Sequence, residues 1–181
     1  MSIIPKSKPQ ATRADIETYL RANGLNPADG VFLVGRRAYF KDTMGKPGAN
    51  DLNCYDDGIF VISPNVFAAF NGNCDPSRVI ERGRALAQLI PGVYRFYKGK
   101  HKGKYAALRA YPEGVALPCL RNGKPSECSF INIHKGGLQD TWSQGCQTIP
   151  VTQWDAFINL VYSEMSRHNQ SVITYILTEN K

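Results

Sequence analysis

The chain has 181 residues, 43% of them apolar and 20% charged, a size and balance that suit one globular domain with a real core and exclude a disordered polyelectrolyte. No run of about 18 apolar residues occurs, so no membrane span is expected, and the opening MSIIPKSKPQATRAD has no apolar segment of the kind a secretory signal needs. The formal charge of +7 calls for a polyanionic partner, whether nucleic acid, anionic lipid or bacterial cell wall.

Residues 1–11 are rich in proline and lysine and read as a loose N-terminal arm. A helix is predicted over Thr12–Ala22. Thr12 can cap it with Asp15 three residues on, apolar positions recur at Ile16, Tyr19 and Leu20, and Gly24 ends it. Gly30–Phe40 reads as strand, residues 41–58 as a long polar loop, and Gly58–Ser63 as a short strand. The loop's Asp51, Asn53, Asp56 and Asp57 do not make a calcium loop. Asp56 stands at the sixth position, where glycine is required, and Ile62 at the twelfth, where glutamate is.

Asp75-Pro76-Ser77 has the form of an N-cap followed by proline at the first helical position. It predicts a second helix running to about Ile90, where Pro91-Gly92 stops it. Strands follow at Gly92–Lys98, Tyr105–Tyr111 and Ser129–Ile133. The basic run from Arg95 to Tyr105 reads as a solvated hairpin tip broken by Gly99 and Gly103 rather than as a nucleic-acid strip, and such a tip can still hold an anionic glycan or peptide. Thr152–Arg167 is a third helix, with Trp154, Phe157, Ile158 and Val161 on its core stripe, and Ser171–Leu177 a closing strand. Strands without regular βα alternation, beside a few helices, give the class α+β.

The five cysteines are Cys54, Cys74, Cys119, Cys128 and Cys146. An odd number without C-x-x-C rules out a complete disulfide framework and argues against paired zinc knuckles, so no metal or other cofactor is expected and reduced thiols are the simplest account. Cys119 and Cys128 flank the turn-like RNGKPSE and are placed to face each other across a hairpin, with the redox compartment deciding whether they pair.

The chemistry concentrates in Ile131–Pro150, INIHKGGLQDTWSQGCQTIP. His134 stands twelve residues before Cys146, and a thiol becomes a strong nucleophile only when a base takes its proton or its pKa falls. Gly145 before the cysteine permits a tight turn and close approach of a substrate. Fifteen Cys/His pairings exist in the chain, so spacing alone is weak and a buried structural cysteine is the ordinary alternative. Of the other histidines, His168 follows the last helix and reads as solvated, and His101 lies in the basic tip and only adds charge at low pH.

The whole string resembles the catalytic signature of the L,D-transpeptidase (YkuD-like) family, a histidine followed after a loop by Ser/Thr-His-Gly-Cys. His134, Ser143, Gly145 and Cys146 match it, while Gln144 stands in place of the second histidine and the gap is short, as in phage- or toxin-type relatives that attack peptidoglycan. The resemblance implies a mostly antiparallel β core with about three flanking helices. It implies Cys146 as nucleophile, His134 as base, and the carbonyl of Lys135 or Gly136 as the group that orients the ring. Backbone N–H groups of Gly145 and Cys146 would face the oxyanion, Ser143 would support the loop, and Trp142 and Gln144 would meet substrate, although a core role for Trp142 is equally open. The expected activity is attack on stem-peptide amide bonds through a thioester, leaning to hydrolysis over cross-linking, by a monomer made in the cytoplasm and delivered to the cell wall. The alternatives are a non-catalytic wall-binding module of the same fold and a basic nucleic-acid-binding protein. No nucleic acid is expected on the leading reading.

Overall fold

The computed structural model describes residues 2–179. Helix α1 (Arg13–Ala22) starts with the capping box the sequence encodes: Asp15 N–H donates to Thr12 Oγ1 at 3.2 Å and Thr12 N–H donates to Asp15 Oδ2 at 2.8 Å. The strands in chain order are β1 (Phe32–Arg37), β2 (Asp57–Ile62), β3 (Phe67–Gly72), β4 (Ile80–Glu81), β5 (Arg84–Ala85), β6 (Ala87–Leu89), β7 (Gly92–His101), β8 (Tyr105–Ala110), β9 (Leu117–Arg121), β10 (Lys124–Cys128), β11 (Asn132–Gly136), β12 (Gln147–Pro150) and β13 (Val172–Glu179). Helix α2 (Val151–Arg167) follows β12 directly.

Eight strands form one mixed sheet in the order β12-β11-β8-β7-β13-β1-β2-β3, with β1–β13 and β11–β12 parallel and the other pairs antiparallel. The sheet curls until its ends meet. Asn73, just past β3, exchanges two backbone hydrogen bonds of 2.8 Å with Thr148 of β12, and so nearly closes a barrel and covers two sheet edges.

Side-chain alternation divides the core. Val31 and Leu33 face one cluster together with Ile59, Phe96, Leu108 and Tyr175, and the α2 stripe Trp154, Phe157, Ile158 and Val161 belongs to the same cluster. Phe32 and Val34 face the other side of the sheet, where Ile16 and Leu20 of α1 cover them with Phe60 and Ile62. Each side chain so buried contributes about 1.5–3 kcal/mol. Phe157 meets Phe70 edge-on at 5.3 Å between centroids, which ties α2 to β3. No helix among the described residues is long and apolar enough to cross a membrane.

The helix predicted over Asp75–Ile90 is absent, so the α+β class stands with two α-helices among the described residues and not three. Asp75 does not cap anything. Its carboxylate is buried, 3.1 Å from Arg37 Nε, and accepts from Gln88 Nε2 at 2.7 Å and Asn50 Nδ2 at 2.9 Å. Further on, Arg82 and Gly83 both take positive φ, 49° and 75°, and turn the chain into the β4–β5 hairpin with Glu81 opposite Arg84. The RNGKPSE segment does form a hairpin, β9–β10, turning at Asn122-Gly123. Its register sets Cys119 opposite Ser126 and Cys128 opposite Leu117, which leaves the two thiols as diagonal neighbours in hydrogen-bond contact, as the sequence placed them, and all five cysteines are free thiols. The N-terminal arm has no regular element but is tied down rather than loose: Tyr55 N–H donates to Ile3 O, Asn71 Nδ2 to Ser7 O, and Gln10 N–H to Tyr39 Oη.

Beneath the polar loop lies a buried acidic cluster. Asp56, Asp57 and Asp75 are fully buried, the last two beside Arg37. Asp57 accepts from the N–H groups of Ala38 and Cys74, whereas Asp56 accepts through Oδ2 from Asp51 N–H, and its Oδ1 has no side-chain or backbone partner within hydrogen-bond geometry among the described residues. Burial, with the charge of Asp75 adding to it, raises Asp56 from the ordinary 3.8 to about 7. The folded state therefore holds a proton that the unfolded chain releases. That stability is fully present below about pH 4 and is lost as pH rises through 7. Asp56→Asn is expected to raise stability at pH 8 by about 2 kcal/mol and to do little at pH 4. Urea melts at the two pH values measure this, and equal effects at both would contradict it.

Candidate functional site

Strand pairing puts His134 and Cys146 on one face of the sheet. In the parallel β11–β12 pair His134 lies opposite Thr148. Side chains alternate along a strand, so residue 146, two before Thr148, falls on the same face as His134. Asn132 N–H, on the same stretch of β11, donates to Cys146 Sγ at 3.4 Å. Both side chains line a cleft of about 750 Å3.

The imidazole is held firmly. His134 is buried, and its Nδ1 lies 2.8 Å from the carbonyl oxygen of Lys135. A carbonyl only accepts, so Nδ1 carries the proton and Nε2 is the basic nitrogen of the neutral ring. Of the two carbonyls expected to orient the ring, the one in contact is that of Lys135. Gly136 serves by its size, since a Cβ there would strike the hydroxyl of Tyr55, which donates to Gly137 O at 2.8 Å.

The turn from Ser143 to Cys146 is braced from inside and outside. Buried Ser143 donates through Oγ to Cys146 O at 2.7 Å and accepts from Gly145 N–H at 3.1 Å. Its own N–H donates to Ser77 Oγ at 2.8 Å, and Ser77 N–H donates to Ser143 O at 2.8 Å. Gly145 has φ of 135°, and a Cβ on it would sit 2.7 Å from Ala87 O, so both conformation and packing require glycine. Because Gly145 N–H is committed to Ser143, it does not face an oxyanion as the sequence led us to expect. Gln144 is exposed, donates to Glu81, and accepts from Ala87 N–H through its carbonyl at 3.2 Å. Trp142 is 61% exposed, which excludes a core role, and its ring lies over Gly137.

The structure adds residues that sequence reasoning missed. The β7–β8 hairpin carries His101 onto the site, where its ring stacks on His134 with centroids 4.0 Å apart and planes at 25°. Asn132 Nδ2 donates to His101 Nδ1 at 3.1 Å. Arg109, opposite Asn132 on β8, and Lys100 and Lys102 of the hairpin also line the cleft, with exposed Phe130 nearby. Gly99 is not a turn residue. It lies mid-strand, where a Cβ would come within 2.7 Å of Arg109 Cδ, and so leaves room for that side chain. Gly103, with φ of 71°, is the turn glycine. His168 is the C-cap of α2, 3.6 Å from Glu164.

The pair rests uncharged. Enclosure by neighbouring atoms pushes the Cys146 thiol up to about 11, against smaller downward pulls from Asn132 N–H and Lys102. The residue still has surface open to the cleft, unlike the other four cysteines, which are buried. Burial lowers His134 to about 4, and His101 adds to this while the Lys135 carbonyl opposes it. At neutral pH the cleft therefore holds a thiol and a neutral imidazole on one sheet face and not a standing thiolate. Among the described residues no group of three or more His, Cys, Asp or Glu could hold a metal ion. No family model, curated protein or solved structure matches this chain.

Proposed function

We propose that this protein is a cysteine-dependent enzyme of L,D-transpeptidase (YkuD-like) type that attacks amide bonds of peptidoglycan stem peptides after delivery to the cell wall. The observation that carries the reading is His134, with Nδ1 fixed on the Lys135 carbonyl and its ring on the same sheet face as Cys146. That arrangement is what the sequence resemblance implies for a base oriented without an acidic third residue.

In the proposed reaction His134 Nε2 accepts the Cys146 proton as sulfur attacks the amide carbon. The Cys146 N–H receives the oxyanion, since Gly145 N–H is occupied by Ser143. The imidazolium then protonates the leaving amine, giving a thioester, and water activated by His134 releases the acid and restores the thiol. An acceptor amine in place of water would give cross-linking. We favour water, because the site lies in an open cleft lined with charged groups.

Purified peptidoglycan incubated with wild type and with Cys146→Ala, followed by mass spectrometry of muropeptides, tests the proposal. Shortened stem peptides with wild type alone are expected. Unchanged muropeptides, with both proteins sedimenting on the wall, would replace this reading by a non-catalytic wall-binding module.

A further inference from the structure

The cleft around Cys146 is one-sided in charge. Arg82, Arg84, Lys100, Lys102, Arg109 and Arg121 line it against one carboxylate, Glu81. That excess of five accounts for most of the chain's +7. Glu81 is taken up by Gln144 and lies 3.9 Å from Arg78. Arg121 donates to the Ala85 carbonyl at 2.7 Å, a neutral partner. Arg109 pairs with Glu113 at 2.7 Å, but that glutamate is 65% exposed, and such a pair is readily exchanged for another anion. Arg82, Arg84, Lys100 and Lys102 have no carboxylate partner among the described residues.

The cations stand on two separate walls. Arg82 and Arg84 belong to the β4–β5 hairpin, which is fastened to the nucleophile turn through Glu81–Gln144 and through Ala87 against Gln144 and Gly145. Lys100 and Lys102 belong to the β7–β8 hairpin, which is fastened to the base through the His101–His134 stack, and Arg109 lies at its foot opposite Asn132. Each wall is thus locked to a different member of the Cys146–His134 pair. Solvated lysines on a hairpin tip are ordinary in themselves. Here two cationic walls of unrelated sequence converge on one thiol, and the one carboxylate in the lining, Glu81, is already taken up by Gln144.

Resting on the reading above, we propose that the cleft selects stem peptides with free carboxylates on both sides of the scissile amide. Arg82 and Arg84 receive one carboxylate, and Lys100, Lys102 and Arg109 the other. Guanidinium groups bind carboxylates through paired N–H donors, and lysines supply point charge. Separate clusters with a nucleophile between them suit discrete charges at fixed spacing, whereas a polynucleotide asks for a continuous cationic track along its backbone.

Equilibrium binding to the Cys146→Ala protein tests this without turnover. The probes are a synthetic stem tetrapeptide and its copy with every free carboxylate converted to carboxamide, read by calorimetry. The carboxamide copy is expected to bind about tenfold more weakly, and Arg84→Gln and Lys102→Gln should each weaken the free peptide about tenfold while leaving the carboxamide copy unchanged. Raising salt should narrow the gap. Equal binding of the two probes, no binding of either, or tighter binding of a single-stranded oligonucleotide of matched charge would overturn the proposal. A protein that prefers the free peptide yet cleaves no wall keeps this inference and loses the catalytic reading. One that cleaves wall but binds both probes alike does the reverse.

Discussion

Iodoacetamide is expected to label Cys146 slowly at pH 7 and about tenfold faster with each pH unit above it, levelling near pH 11. The thiolate is the reacting species, and a thiol held at about 11 by enclosure is ionised to roughly one part in ten thousand at pH 7. A standing thiolate–imidazolium pair would behave in the opposite way, with fast labelling already at pH 6 and little dependence above it. Here His134, at about 4, has no proton to share at neutral pH. Cys146 should nevertheless be the first of the five cysteines to react, because the other four are buried. Turnover need not follow the labelling curve. In the proposed reaction the proton passes directly from sulfur to Nε2, so the rate on peptide substrate should stay nearly flat from about pH 5 to pH 9. Quenched time points analysed by peptide mass spectrometry give the labelling curve. Fast labelling at pH 6 would show that the pair is charged at rest.

What the sequence made legible was local in character. The Thr12 capping box and the apolar stripe of α2 gave both helices to within a residue, because cap chemistry and 3.6-residue periodicity are written into neighbouring positions. Asp75-Pro76-Ser77 carries the same local marks as a helix start, but the buried Arg37 captures the carboxylate from across the fold, a contact between residues 38 apart in the chain. The Arg82-Gly83 turn was visible in principle as a glycine inside an assumed helix. Barrel closure through Asn73 and Thr148 left no local mark at all. The site divides in the same way. His134 lies in the middle of one strand and Cys146 just before the adjacent parallel one, which follows it closely in the chain, so one short segment held both. His101 reaches His134 only through the β7–β8–β11 pairing, and a run of lysines with a histidine in it says nothing about which strand will lie beside it. Charge was legible as a total, while its convergence from two hairpins was not.

His134→Ala is expected to lower turnover about a thousandfold at pH 7 and to recover roughly tenfold per pH unit as the medium is made alkaline. Removing the base leaves a thiol that only hydroxide can ionise, and the loss shrinks as the thiolate fraction grows toward pH 11. An ester analogue of the stem peptide is the better substrate for this test, because its alkoxide leaves with less help from a proton donor than an amine needs. Cys146→Ala should show no activity at any pH, which separates a lost base from a lost nucleophile. The buried ring also packs on His101, so truncation opens a void. His134→Gln, closer in volume and unable to serve as a base, should show the same alkaline recovery with less loss of thermal stability. If the deficit of both variants is independent of pH while their melting temperatures stay near that of wild type, His134 positions substrate and does not take the proton, and the thiol must be activated by another group, of which His101, stacked at 4.0 Å, is the nearest in kind.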